Sequence, residues 1–103
     1  WPAEWDGETA MVIGFLGLDI HFPQARSLKD KRKELAGLKV RIRKKYNVAL
    51  AELDHQDVWQ RTLLGIVTLN SQPGIVERIL SDIRTDVLEH VNGDILHAEI
   101  KFF

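Results

Sequence analysis

Apolar residues alternate along some segments of the chain and recur every three to four positions in others, and this change of period predicts the elements. They alternate from Met11 to Phe22 and stop at Pro23, which is typical of a strand. Ser27 is a favourable helix N-cap with Asp30 three residues later, so a helix is predicted to begin there. Its apolar positions have helical spacing and are Leu28, Leu35, Leu38, Ile42 and Tyr46.

The second half of the chain repeats this pattern with one extra strand. Residues 47–53 and 60–69 are predicted as strands, and the turn sequence over 70–74 precedes a second helix that ends near His90. After a turn at Asn92-Gly93 the last strand alternates, and its inward residues are predicted to be Leu96, Ala98, Ile100 and Phe102. The order β-α-β-β-α-β predicts an α+β, ferredoxin-like fold, with a four-stranded antiparallel sheet and two helices on one face.

The uncovered face of this sheet is expected to be apolar. Strands one and three should be central, and both are apolar on either side, since Ile13 and Phe15 alternate with Leu16 and Leu18. A hydrophobic patch of this kind usually marks a contact. The sequence therefore predicts a homodimer or a higher homo-oligomer that covers the open face.

Composition indicates one ordinary globular domain. Of 103 residues 45% are hydrophobic and 28% charged, and no apolar run approaches the roughly 20 residues of a membrane span. The chain has no cysteine, which excludes disulfides and thiolate metal sites and is consistent with a cytoplasmic location. Residues 1–10 lack periodicity and are predicted to be a loose N-terminal extension, with a single domain over residues 11–103.

The charge is distributed unevenly. Ten of the 14 basic residues fall in residues 26–45, which carry a net charge of +8 while the rest of the chain carries −9. Such asymmetry suggests a polyanion partner, and phosphate neutralisation is how a nucleic acid would be bound. The predicted nucleic-acid-binding residues are Arg26, Lys29, Lys31, Arg32, Lys39 and Arg43.

Internal pairing is the competing explanation for these charges. Asp82, Asp86 and Glu89 lie along one side of the second helix, which neighbours the first in this fold, and these acids would neutralise part of it. Lys31 falls within the apolar stripe, so its ammonium must either extend to solvent or meet a carboxylate. Base stacking on the sheet is not expected, because residues 63–68 of the third strand contain no aromatic side chain.

The densest polar cluster lies between the second and third strands. It has the side-chain types of a metal site or a general base, but no second histidine, nucleophile or glycine-rich phosphate loop accompanies it. No catalytic residue, metal or cofactor is therefore predicted. The structural interpretation is a tight loop with Trp59 as a packing anchor, and a binding or interface role is the alternative. The cluster consists of Asp54, His55, Gln56, Asp57, Trp59, Gln60 and Arg61.

The segments ARSLKDKR at 25–32, Asn47-Val48 with Ala51-Glu52, and DHQDVWQR at 54–61 resemble the YlxP-like family of small bacterial proteins. The resemblance implies a ferredoxin-like fold and no established activity. The family's genes often lie beside those of a translation initiation factor and a ribosome-binding factor, which implies a link to the ribosome.

Three hypotheses follow from the residues and the resemblance. The first is a non-enzymatic cytoplasmic protein that binds ribosomal RNA or a ribosomal subunit through the basic helix. The second is a homo-oligomeric regulatory or small-ligand-binding module that uses the open sheet face. The third, an enzyme of acylphosphatase type, is disfavoured because a glycine-rich phosphate loop is missing between Asp19 and Ser27.

Overall fold

The computed structural model describes residues 10–103, so the predicted extension over residues 1–10 lies outside them apart from Ala10. The element order confirms the predicted β-α-β-β-α-β pattern. The elements are β1 (Val12–His21), α1 (Leu28–Lys45), β2 (Ala49–Asp54), β3 (Arg61–Asn70), α2 (Pro73–His90) and β4 (Asp94–Phe102).

The four strands form one antiparallel sheet in the order β2-β3-β1-β4, which confirms the ferredoxin-like fold. Residues of one parity on β1 and β3 point to the helices, and those at the centre of the strands are fully buried. Both helices contribute their apolar stripes to the same core. Its members include Leu16, Leu18, Leu38, Ile42, Leu64, Leu80 and Ile83.

The start of α1 follows from the chemistry of its first turn. Ser27 is the N-cap, and its hydroxyl accepts a hydrogen bond from the Asp30 N–H at 3.0 Å. The Asp30 carboxylate in turn accepts from the N–H of Arg26 at 3.0 Å, one residue earlier than a capping box requires. The predicted cap is confirmed, and it fixes the turn that leads from β1 into α1.

The inward face of β4 differs from the prediction at Leu96 and Phe102, which are 54% and 50% exposed. The pairing of β1 with β4 shifts from Asp19 opposite His97 to Ile20 opposite Ile95, so Leu96 is the extra residue of a β-bulge. Ile95 packs against the core in its place. The alternation was correct for Ala98 and Ile100 but could not reveal the residue at which the register changes.

Candidate functional site

Lys31, predicted to bind a phosphate, lies inside the fold and is fully buried. Its ammonium donates to the backbone carbonyls of His55, Gln56 and Arg61 at 2.6, 3.2 and 3.3 Å. A carboxylate oxygen of Glu52 lies 3.1 Å away. The predicted nucleic-acid set is therefore corrected, because this buried lysine cannot reach a phosphate. Of the two outcomes expected for its ammonium, extension to solvent or contact with a carboxylate, the structure shows the second.

The oxygens around this ammonium explain why a lysine is buried here. A buried charge is tolerated where an opposite charge is close and its protons are accepted, and an ammonium has three to donate. Glu52 is itself mostly buried and also accepts from the hydroxyl of Thr62 at 2.5 Å. The three carbonyls belong to both ends of the β2–β3 connection, so Lys31 fixes that connection against α1.

Gln60 joins the same connection to the chain just before α1. Its side-chain amide donates to the carbonyls of Pro23 and Ala25 at 3.3 and 3.1 Å, and its own carbonyl accepts from the Phe22 N–H at 2.8 Å. Two motifs that are separate in the sequence, over 25–32 and 54–61, thus form one bonded unit. No side-chain pattern reveals this, because almost all of these bonds go to backbone carbonyls.

The loop over residues 55–60 is a compact turn. The Asp54 carboxylate accepts from the His55 N–H at 2.7 Å, and the His55 carbonyl accepts from the Val58 N–H at 3.0 Å. His55 has a φ of 65°, which costs a residue with a side chain about 1–2 kcal/mol. The bond from Lys31 to its carbonyl helps to hold this conformation, so the geometry supports a structural role for Asp54 and His55.

The tip of this loop faces outward. Asp57, Val58 and Trp59 are exposed, and Trp59 exposes 52% of its surface. The predicted role of Trp59 as a packing anchor is therefore wrong. Lys31 and Gln60 hold the loop through hydrogen bonds, and the indole is left on the surface.

Five of the six predicted phosphate-binding residues keep their side chains on the surface, although Lys39 is partly covered. Positions 32, 39 and 43 are seven and four residues apart, so they share one flank of α1. Within residues 10–103 no acid lies at salt-bridge distance from any of the five. We call this set the basic flank, and it consists of Arg26, Lys29, Arg32, Lys39 and Arg43.

The opposite flank of α1 is neutralised by α2. Arg41 and Lys45 lie 2.9 and 3.3 Å from the two oxygens of Asp86, a buried carboxylate to which His90 also comes within 2.8 Å. Burial acts to raise the pKa of Asp86, but the hydrogen bonds from Arg41 and Lys45 outweigh it and lower that pKa below its ordinary value. Among the described residues, Asp86 is the only one of the three acids predicted to neutralise α1 that does so.

Arg61, the last residue of the second motif, lies on the open face of the sheet. Its guanidinium forms two hydrogen bonds with the Asp19 carboxylate, at 3.0 and 2.7 Å. These bonds hold the pKa of Asp19 below its ordinary value. His21 and Asp94 are paired across β1 and β4, and the His21 imidazole lies 3.6 Å from the Asp94 carboxylate. This half of the open face is thus polar and internally paired.

The other half of the open face is apolar, as predicted. Gly17 and Gly65 face each other across β1 and β3, and a Cβ on Gly65 would lie 2.5 Å from Leu53 and 3.1 Å from Phe15. Because Gly65 has no Cβ, the side chains of Leu53 and Phe15 can lie directly over the sheet at this point. They border a shallow groove of about 240 Å³, which is also lined by Ala49, Leu50, Ala51, Ile66 and Val67.

A family described as a protein of unknown function (DUF503) matches residues 13–100. The chain belongs to this family. The match includes both motifs, the whole of α1 and the β2–β3 connection. Membership names no activity, so the geometry described above carries the functional argument.

One curated relative agrees with the resemblance drawn from the motifs. The uncharacterized protein YlxP of Bacillus subtilis (strain 168) is 40% identical over 60 residues, which is 58% of this chain. The match spans 65% of the relative's length, just under two thirds. This confirms that the chain is YlxP-like and adds no function.

The solved structures add the fold alone. The de novo designed protein Foldit4 superposes with a TM-score of 0.53 at 9% identity, over 90% of this chain and 96% of that one. A designed relative of the architecture shows that this backbone is compatible with very different sequences. Nothing about a site follows from it.

Two further classes of feature, metal sites and membrane-spanning helices, have no match within residues 10–103. No three His, Cys, Asp or Glu side chains in this part of the chain come together as metal ligands would. Neither helix described there has the length and apolarity to cross a membrane.

Proposed function

We propose that this chain is a cytoplasmic RNA-binding protein that associates with ribosomal RNA or a ribosomal subunit through the basic flank. The observation that carries the proposal is that three cations share one flank of α1 and two more lie in its first turn and the turn before it, with no acid of residues 10–103 at salt-bridge distance from any of the five. Unpaired Lys and Arg in a row neutralise phosphates and release counterions. The proposal concerns binding and requires neither catalysis nor a cofactor.

The separation of paired from unpaired cations supports this assignment. Lys31, Arg41 and Lys45 are held by Glu52 and Asp86, so they account for three of the basic residues in 26–45. Fold stability explains those three and leaves the other seven unexplained, which are the basic flank together with Lys33 and Lys44. The ribosome is the polyanion implied by the gene neighbourhood of the YlxP-like family.

A matched pair of charge reversals tests the proposal. The variant Arg32→Glu/Arg43→Glu alters the basic flank, and Arg78→Glu/Arg84→Glu makes the same change on exposed positions of α2. Binding to small ribosomal subunits and to unrelated RNA is titrated across salt. The flank variant should bind more weakly, with a salt slope smaller by about one for each lost phosphate contact, while the α2 variant binds nearly as well as the wild type. Equal effects from both variants would contradict the proposal.

The apolar half of the open face favours a second candidate, a homo-oligomeric regulatory or small-ligand-binding module. Two identical faces that meet across this groove would bury Leu53 and Val67, which are 49% and 37% exposed. Sedimentation of the wild type should then show a dimer. Val67→Glu should make it monomeric, while Val40→Glu, at a valine of α1 that is 50% exposed, should leave the dimer intact. A monomeric wild type would contradict this candidate.

A further inference from the structure

The loop tip carries an aromatic surface that neither the core nor the basic flank explains. We propose that Trp59 stacks on an unpaired base of the RNA whose phosphates the basic flank binds, an inference that rests on the proposed function. Trp59 exposes 52% of its surface and the neighbouring Val58 exposes 44%. An indole is a good platform for a base, and such stacking is worth about 1–3 kcal/mol per base.

The indole is mounted on a backbone that is already ordered. Lys31 holds the carbonyls on both sides of the tip, and Gln60, the next residue along the chain, is bonded to the turn before α1. A ligand that binds here does not have to order the loop. Pre-organisation of this kind reduces the entropic cost of binding.

The position of the indole connects it to the cations. Strand β2 returns antiparallel to α1, so the β2–β3 connection lies at the N-terminal end of that helix. Gln60 bonds to the carbonyl of Ala25, and Arg26 follows immediately, so Trp59 lies where the basic flank begins. A row of cations with an aromatic at its end suits a strand whose backbone lies along α1 and whose terminal base leaves the stack.

The size of the exposed apolar surface favours an RNA base over a protein at this tip. The exposed apolar surface consists of two side chains, beside the carboxylate of Asp57 and above a shallow depression lined by residues 57–60. A stable protein interface buries roughly 800 Å² per partner, far more than this tip supplies. A stacked base needs a single aromatic face. The sequence favours a packing role for Trp59, with a binding role as the alternative, because a tryptophan is more often a packing residue.

The test compares two RNAs of equal length and charge, a hairpin with an unpaired loop and a blunt duplex. Trp59→Ala should weaken hairpin binding by about 5- to 150-fold while the affinity for the duplex changes little, and Trp59→Phe should restore most of the loss. Leu88→Ala, an exposed apolar residue of α2, is the matched control and should bind both RNAs as the wild type does. In a Trp1→Phe/Trp5→Phe background Trp59 is the only tryptophan, and the hairpin should quench its fluorescence.

Failure of this inference is distinguishable from failure of the proposed function. If Arg32→Glu/Arg43→Glu weakens binding of both RNAs and Trp59→Ala weakens neither, the basic flank stands and the stacking role is overturned. The tip is then assigned to a protein contact. An equal loss for hairpin and duplex, or a loss that phenylalanine does not restore, also overturns it. If the wild type binds neither RNA, both proposals fail.

Discussion

Arg41 and Arg43 lie two residues apart on α1, and their guanidinium groups have opposite surroundings. Arg41 is bonded to the buried carboxylate of Asp86 on α2, and its second nitrogen lies 3.1 Å from His90. Arg43 points the other way, and no acid of residues 10–103 lies within reach of it. Residue type and helix are the same for both. Their surroundings differ because α2 lies beside the flank that carries Arg41 and supplies Asp86 to it.

Lys31 extends this comparison to the apolar stripe between the two flanks. Its cation has become part of the core because Glu52 and three carbonyls surround it. The helix therefore carries one group of cations that stabilises the fold and another that contributes nothing visible to it. A function that uses α1 must draw on the second group.

The largest expected effect comes from removing the buried cation. Lys31→Met approximates the apolar stem of the side chain but removes the ammonium and leaves Glu52 without its partner, and it should lower the free energy of unfolding by about 3 kcal/mol. Arg32→Met, the adjacent residue on the basic flank, should change it by less than about 0.5 kcal/mol. Urea unfolding at pH 7 measures both.

A second substitution tests whether the lost stability comes from the unpaired carboxylate of Glu52. Adding Glu52→Gln to Lys31→Met removes the unpaired carboxylate and should recover part of the lost stability. If Lys31→Met cost no more than Arg32→Met, the buried and exposed cations of α1 would be energetically equivalent and the comparison would fail.

An intermediate effect is expected at Asp86, the carboxylate that pairs with Arg41 and Lys45. Asp86→Asn should lower the free energy of unfolding by about 1–2 kcal/mol at pH 7, a modest value because Arg41 and Lys45 are 36% and 51% exposed. Asp82→Asn, an exposed acid on the same helix, should have little effect.

The pH dependence of this difference has a defined sign. The folded-state pKa of Asp86 is lowered, so its stabilising contribution is fully present above the ordinary aspartate pKa of about 4 and is lost as the pH falls through the lower folded value. Unfolding measured between pH 7 and pH 2 should therefore show the gap between wild type and Asp86→Asn closing only below about pH 4. A gap that persists at the lowest pH would assign the effect to packing and not to charge.

The fold was predictable to within a few residues because each element has its own period and its own stop signal. Pro23, Ser27 and Pro73 mark ends that the structure confirms. Leu96 was missed because a β-bulge changes the facing of a strand without a compositional mark. The pattern reports which residues are apolar but not where two strands lose register.

The candidate site was predictable in composition and not in arrangement. The apolar stripe showed that Lys31 needed a partner, but Glu52 and the carbonyls of the β2–β3 connection meet it only through the fold. Trp59 was assigned to packing because its residue type is usually buried. The backbone bonds of Gln60, which make that packing unnecessary, have no signature in the sequence.

The smallest expected effect separates two lysines at opposite ends of α1. Lys45 in the last turn is bonded to Asp86, and Lys45→Gln should lower the free energy of unfolding by about 0.5 kcal/mol. Lys29 in the first turn faces Arg32 and Lys33 three and four residues on, and a cation is unfavourable at a helix N-terminus. Lys29→Gln should therefore raise stability by a few tenths of a kcal/mol.

Urea unfolding at low and high salt checks both signs, and the gain at Lys29 should shrink as salt screens the repulsion. The same substitution should weaken RNA binding, so stability and affinity would move in opposite directions at one residue. That combination would support the proposed role of the basic flank in binding an anion. If Lys29→Gln instead lowered stability, the basic flank would have a partner within the chain, and its charges would no longer require an external one.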